Sequence, residues 1–169
     1  MILIGAGAFE NKYNRDLMKI RIERLTSDEG IEVQNLMDTF HTGNLDNESF
    51  GRFGELMSKA DSFLYQPKIK EQINLDIEIF QSVWNEASKL RETGELIHRA
   101  KNISCPVVAF HGDFDPHPID GIEIPLSKRL SNFKMIRLER CGHTPWNEPY
   151  AKTRFFTEIS NELFFVKHS

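Results

Sequence analysis

Apolar and polar residues are arranged along the chain in three textures. The opening Met1-Ile2-Leu3-Ile4 is a continuous apolar run that stops at Gly5-Ala6-Gly7, as expected of a strand buried on both faces, and such strands belong to parallel sheets. From Asn11 to about His98 the period becomes helical. Thr26 with Glu29 three residues on forms a capping box ahead of Ile31, Val33, Leu36, Met37 and Phe40, and this helix ends near Thr42-Gly43. Another helix is predicted from about Asn47 to Asp61, and Pro67 interrupts the chain after it. The longest helix then carries Leu75, Ile79, Phe80, Val83, Trp84, Ala87 and Leu90 on one stripe. Aromatic and Met side chains at that spacing, Phe80, Trp84 and Met57 among them, are expected to pack in a core.

After Pro106 the texture changes again. Val107-Val108-Ala109-Phe110 is a β-branched and aromatic run ending at His111-Gly112-Asp113, which predicts a second buried strand. Ile119 to Leu130 is expected to be helical and Lys134 to Leu138 a third strand. Glu148 to Phe165 is expected to be a helix with Phe155, Ile159 and Leu163 facing inward. Alternation of strand and helix implies an α/β fold, a small three-stranded parallel sheet with flanking helices and ligand groups at the carboxyl ends of the strands.

Composition narrows the function classes. With 169 residues, 40% apolar and 27% charged, the chain is globular in composition and large enough to bury a core. Its net charge of −4 offers nothing to a phosphate backbone, so nucleic-acid binding is not expected. Met1 to Phe9 has no basic residues before it and is far short of the roughly 20 residues that span a bilayer, so neither a signal peptide nor a membrane partner is expected. Only Cys105 and Cys141 are present. They fall at opposite ends of adjacent parallel strands, too far apart to bridge, and a reduced, cytoplasmic protein is the expectation.

The candidate chemistry sits at two strand ends. His111-Gly112-Asp113-Phe114-Asp115-Pro116-His117-Pro118 follows the second strand, and Cys141-Gly142-His143-Thr144-Pro145-Trp146 follows the third. Adjacent parallel strands bring a carboxylate and an imidazole to one edge of the sheet. A buried carboxylate that accepts one ring N–H of a histidine leaves the other nitrogen free as a general base. Asp115 could equally cap the following helix, with His143 an ordinary loop histidine.

A strand ending in Gly-x-x-Asp (Gly112 to Asp115), a helix, a further strand and then Gly142-His143 before a last helix resembles the C-terminal half of the α/β-hydrolase fold. On that resemblance Asp115 takes the place of the catalytic acid and His143 that of the base. Leu3-Ile4-Gly5-Ala6-Gly7 resembles the sixth strand of the family, and residues 11–99 stand where many members insert a helical cap, between core segments 1–10 and 100–169. The likeness covers essentially the whole chain. It implies hydrolysis of an ester, amide or peptide bond by a Ser-Asp-His triad, a small-molecule or peptide substrate and no cofactor or metal. Trp146, just beyond His143, and Trp84 in the cap are candidate substrate-binding residues. The capped layout and the Cys-Gly-His-Thr-Pro-Trp loop are similar to those of the proline iminopeptidases.

The sequence departs from the family in one essential. The Gly-x-Ser-x-Gly nucleophile elbow does not occur in these 169 residues. The resemblance would place it, with the first five strands and the oxyanion loop, upstream of Met1. The alternative is a non-catalytic fragment or interaction module. An apolar strand at Met1 to Gly5 without a neighbour on its outer side is expected to self-associate or to pair with an N-terminal segment.

Three other chemistries can be weighed from the residues. Gly5-Ala6-Gly7 resembles the opening of a dinucleotide-binding turn, but Glu10 stands at the third glycine position. His111, Asp113, Asp115 and His117 alternate and would project to one side of an extended segment as metal ligands, although Gly112 and two prolines argue for a bend. Lys12, Arg15, Lys19, Arg21 and Arg24, interleaved with Asp16 and Glu23, are expected to form a solvated helix face.

Overall fold

A computed structural model describes residues 1–42, 46–67 and 77–166. Its sheet contains β1 (Ile2–Ile4), β2 (Val107–Gly112) and β3 (Phe133–Leu138), all parallel, in the order β1-β2-β3. Ile2 is in register with Val108, and Val107 with Phe133. The central strand β2 is buried along its whole length, which is why its sequence is continuously apolar rather than alternating. Its side chains still point alternately to the two faces. Val107 and Ala109 pack with Ile122, Leu126 and Leu130 on one side, whereas Val108 and Phe110 pack with Ile136, Leu138 and Phe155 on the other. Leu3 joins the first cluster and Ile2 and Ile4 the second.

Helices α1 (Leu17–Glu23), α2 (Ser27–Thr42), α3 (Asn47–Ala60), α4 (Ile77–Glu92) and α5 (Glu95–Arg99) lie between β1 and β2. Helix α6 (Asp120–Ser127) connects β2 to β3, and α7 (Lys152–Val166) follows β3. The capping box holds: Glu29 Oε2 accepts from the Thr26 N–H, and the Glu29 N–H donates to Thr26 Oγ1. Asp46 caps α3 by accepting from the Ser49 N–H at 2.7 Å. Helices α1 to α3 close around a core of their own, Val33, Leu56 and Met57 with Met18, Ile22 and Phe53 against them.

Three expectations are corrected. The stripe on α4 does not face a core: the helix has no buried residue, and Ile79, Val83 and Trp84 are at least half exposed, Trp84 at 50%. Met57 is buried as expected, and Leu75 lies outside the described residues. Helix α7 starts at Lys152 rather than Glu148, and Leu163 points outward at 55% exposure while Phe155 is buried. Pro149 explains the late start, because a residue before proline is pushed out of the helical region, and Glu148 has φ −83° and ψ 115°. The basic residues of the first helical segment are not all solvated. Arg21 makes a two-pronged pair with Asp61 at 2.7 and 2.6 Å, with both side chains largely buried. Arg24 donates to the carbonyls of Ala60 and Phe114.

Both cysteines are free thiols, Cys105 exposed and Cys141 buried. Among the described residues no helix is long and apolar enough to cross a membrane.

Candidate active site

The carboxyl ends of β2 and β3 deliver their loops side by side. The Asp113 N–H donates to the Leu138 carbonyl and the Phe114 N–H to the Cys141 carbonyl, while Asp113 Oδ1 accepts from the Cys141 N–H. These bonds set Asp115 against His143. His143 Nδ1 donates to Asp115 Oδ2 at 2.8 Å, and the Asp115 side chain is fully enclosed. The other oxygen, Oδ1, accepts from both the backbone N–H and the Nδ1–H of His117, each at 2.9 Å. A third imidazole, His111, donates through Nε2 to the His117 carbonyl and leaves its Nδ1 facing Asp115 Oδ2 at 3.8 Å.

Burial by itself would raise the Asp115 pKa. The donated protons of His117 and His143 and the charge of the imidazoles outweigh it and hold the carboxyl well below the ordinary range, so it is ionised. Burial would lower the His143 pKa, but its hydrogen bond to Asp115 and the charges of Asp115 and Asp61 raise it above the usual imidazole value. His111 is displaced the other way, because burial outweighs the nearby charge of Asp115.

The His143 loop is clasped from the helical region. The His143 N–H donates to the Asp61 carbonyl at 2.8 Å, immediately beyond α3. Glu148 is fully buried and pairs with no cation among the described residues. Its Oε1 accepts from the Gly142 and Phe63 N–H groups at 3.0 and 2.7 Å, and its Oε2 from the Leu64 N–H at 3.1 Å. Glycine is required at two approaches. Gly5, at φ +54°, lies against the His143 carbonyl where any Cβ would overlap it, and a Cβ on Gly142 would strike the Asp61 carbonyl.

Once Nδ1 is committed to Asp115, the neutral His143 ring has its lone pair on Nε2. The side chain keeps 30% exposure, against 8% for His117 and 3% for His111. Of the three rings it is therefore the one open to a reacting group, poised as a general base with its imidazolium form stabilised by Asp115. Cys141, two residues away, is no thiolate nucleophile: burial and the charges of Glu148, Asp113 and Asp115 push its thiol up to about 12.

The metal set considered from the sequence is not assembled, since Asp113 turns to the Cys141 N–H. Asp115, His117 and His143 do offer three donor atoms within 4.8 Å of one another, enough to hold a divalent ion. Both imidazole Nδ1 protons are engaged by Asp115, and an ion seated there would have to displace them.

Asp115 and His143 are thus brought together. Trp146 lies in a short 3-10 turn (Pro145–Asn147) with its ring 6.3 Å from that of Phe155, and Trp84 lies on α4 beside Phe80. Gly5 to Ala8 is not followed by a helix that could present amides to a phosphate, only by a 3-10 turn at Asn11–Tyr13 with no side-chain cap. The sequence offers His117 only as a metal ligand and gives Asp61 and Glu148 no place in the site. For His117 and Glu148 a local signal exists: His117 stands between two prolines and Glu148 before one, so neither is free to begin a helix. Asp61 has none, as its role depends on Arg21 forty residues earlier.

Fold and site together describe a small parallel α/β unit with an ionised aspartate and a partly open histidine paired at its carboxyl edge. No family model and no curated protein matches the chain. Among solved structures it is similar to one described as the crystal structure of VinJ, with a TM-score of 0.56 and 14% sequence identity. The alignment covers 96% of this chain and 55% of that one, so the chain spans about half of that structure's length. At this identity the likeness shows a shared fold alone.

Proposed function

We propose that the chain carries the acid and base of an α/β-hydrolase site, with Asp115 orienting His143 and His143 Nε2 taking the proton of a nucleophile that attacks an ester, amide or peptide bond. The observation that carries this is the 2.8 Å bond from His143 Nδ1 to a fully enclosed carboxylate, with His143 still partly open. The carboxylate fixes the tautomer and stabilises the imidazolium formed when the proton is taken. Proton transfer of this kind accelerates a reaction by roughly 10²- to 10⁴-fold.

No Gly-x-Ser-x-Gly elbow occurs in the sequence to supply a nucleophile, and the outer edge of β1 is where further strands, from a second copy or another segment, would add. The 169-residue chain alone is therefore expected to hydrolyse p-nitrophenyl esters near background and to take no label from a serine-directed phosphonate. Labelled turnover on this chain would place the nucleophile within it and overturn the assignment. Proton NMR titration of the His143 ring tests the dyad itself: Asp115→Asn should lower the His143 pKa, and an unchanged value would remove the basis for the pair. The absence of a nucleophile elbow favours a second role, a non-catalytic interaction module; that role would stand if Asp115→Asn left the titration unchanged while a partner still bound.

A further inference from the structure

Several arginines of this protein have acids to face. Arg21 faces Asp61, and Arg52 holds both Glu32 and Glu55. Arg24 lies in the field of Asp61 and Asp115. Arg91, in the last turn of α4, is different. It is half-buried, and its Nε donates to the Ala8 carbonyl at 2.8 Å, but no carboxylate pairs with it among the described residues. The acids near it in sequence are engaged elsewhere: Glu92 accepts from Ser88, and Glu95 pairs with Arg99. Burial lowers the Arg91 pKa. A guanidinium drawn out of water without a counter-charge is unfavourable unless an anion completes it.

Its position relates this charge to the dyad. Arg91 Nη2 and His117 Cδ2 each lie 3.6 Å from the point beside Gly7 where a Cβ would stand, so the two side chains flank one space at the end of β1. The His117 and His143 rings are in turn 4.8 Å apart, centre to centre. One face of α4 extends the charge with an apolar wall. The Trp84 ring, two helical turns before Arg91, is 5.9 Å from the guanidinium and half exposed, and Phe80 lies 5.8 Å beyond it.

We propose that Trp84 and Arg91 form a subsite for the carboxylate end of a substrate with an apolar body, such as an N-acyl amino acid or the C-terminus of a short peptide, held beside His117 and His143. A guanidinium recognises a carboxylate through paired, charge-assisted hydrogen bonds, and an indole face packs the apolar part next to it. The proposal rests on the hydrolase function above only for where the scissile bond would lie. Binding itself requires neither nucleophile nor turnover.

The test uses the 169-residue chain and two probes, hippurate and its neutral methyl ester, followed by backbone amide shifts in NMR titrations. Hippurate should bind at least tenfold more tightly than the ester, with shifts at Gly7, Trp84 and His117. Arg91→Gln should abolish the preference, and Arg91→Lys, which keeps the charge but not the fork, should retain part of it. Equal binding of the two probes, a preference that survives Arg91→Gln, or no binding of either by the wild type would each overturn the subsite. The His143 titration in Asp115→Asn does not involve Arg91, so failure of the dyad and failure of the subsite are told apart.

Discussion

Asp115 accepts two imidazole protons where one would suffice to orient His143, and the pH dependence of stability follows from that. The Asp115 pKa is depressed, so its contribution is present above the ordinary carboxylate value of 3.8 and is lost as pH falls through the folded value. The His143 pKa is raised, so its contribution is complete below the ordinary value of 6.5 and is lost as pH rises through the folded one. Both are present together near pH 5 to 6. Asp115→Asn, which leaves the His117 and His143 rings without their anion, should cost about 2–4 kcal/mol there, and less at pH 9. Urea unfolding at the two pH values checks this, and an equal loss at both would contradict the charge coupling. Gly5→Ala probes a different cause. A left-handed φ costs a non-glycine residue roughly 1 kcal/mol, and the new methyl would also displace the His143 carbonyl. A stability loss of about 2 kcal/mol or more, with shifted His143 resonances, is expected.

At the scale of elements, what could be read in the sequence was whatever is local. The three strands, the capping box at Thr26 and the helix from Asn47 follow from periodicity and caps, and the structure has them within a residue or two. The aspartate and histidine were legible because each immediately follows a strand, and parallel neighbours must bring those ends together. What was hidden depends on contacts between distant segments. The burial of a helical stripe is one such property: α4 has the periodicity of a core helix yet faces outward, while Met57 on α3 does not. Val83→Ser on α4 should therefore change stability by less than about 0.5 kcal/mol, whereas Met57→Ala should cost about 2–4 kcal/mol. Thermal or urea denaturation of the two variants separates them, and equal losses would mean that α4 is covered. Glu148 is the other case, a charged residue in a helix-like stretch that instead ties Phe63 and Leu64 to Gly142. Glu148→Ala would leave three backbone N–H groups without their acceptor, so a loss of about 2–4 kcal/mol is expected. Amide exchange should quicken at Gly142, Phe63 and Leu64 together; if only one of the three responds, the clasp is not a unit.

At the scale of the whole molecule, the sheet has a three-residue edge strand, β1, that among the described residues pairs only with β2 and carries neither charge nor proline. Concentration-dependent association is the expected outcome in sedimentation velocity, and a monomer at every concentration with Ile2 and Ile4 protected from exchange would show that the edge is covered. The register of that strand also bears on the order in which the protein is assembled. Val107 and Phe133 are separated by one helix, whereas Ile2 must find Val108 across a stretch of more than a hundred residues. Closing so long a loop costs more chain entropy and is slower than closing the short one. The β2–α6–β3 unit, with Asp115 and His143 at its edge, can therefore form as a local nucleus, and β1 docks onto it afterwards. Gly5 then arrives against the His143 carbonyl as a late step. Asp115 and His143 can thus be set by neighbouring segments before Gly5 closes against them.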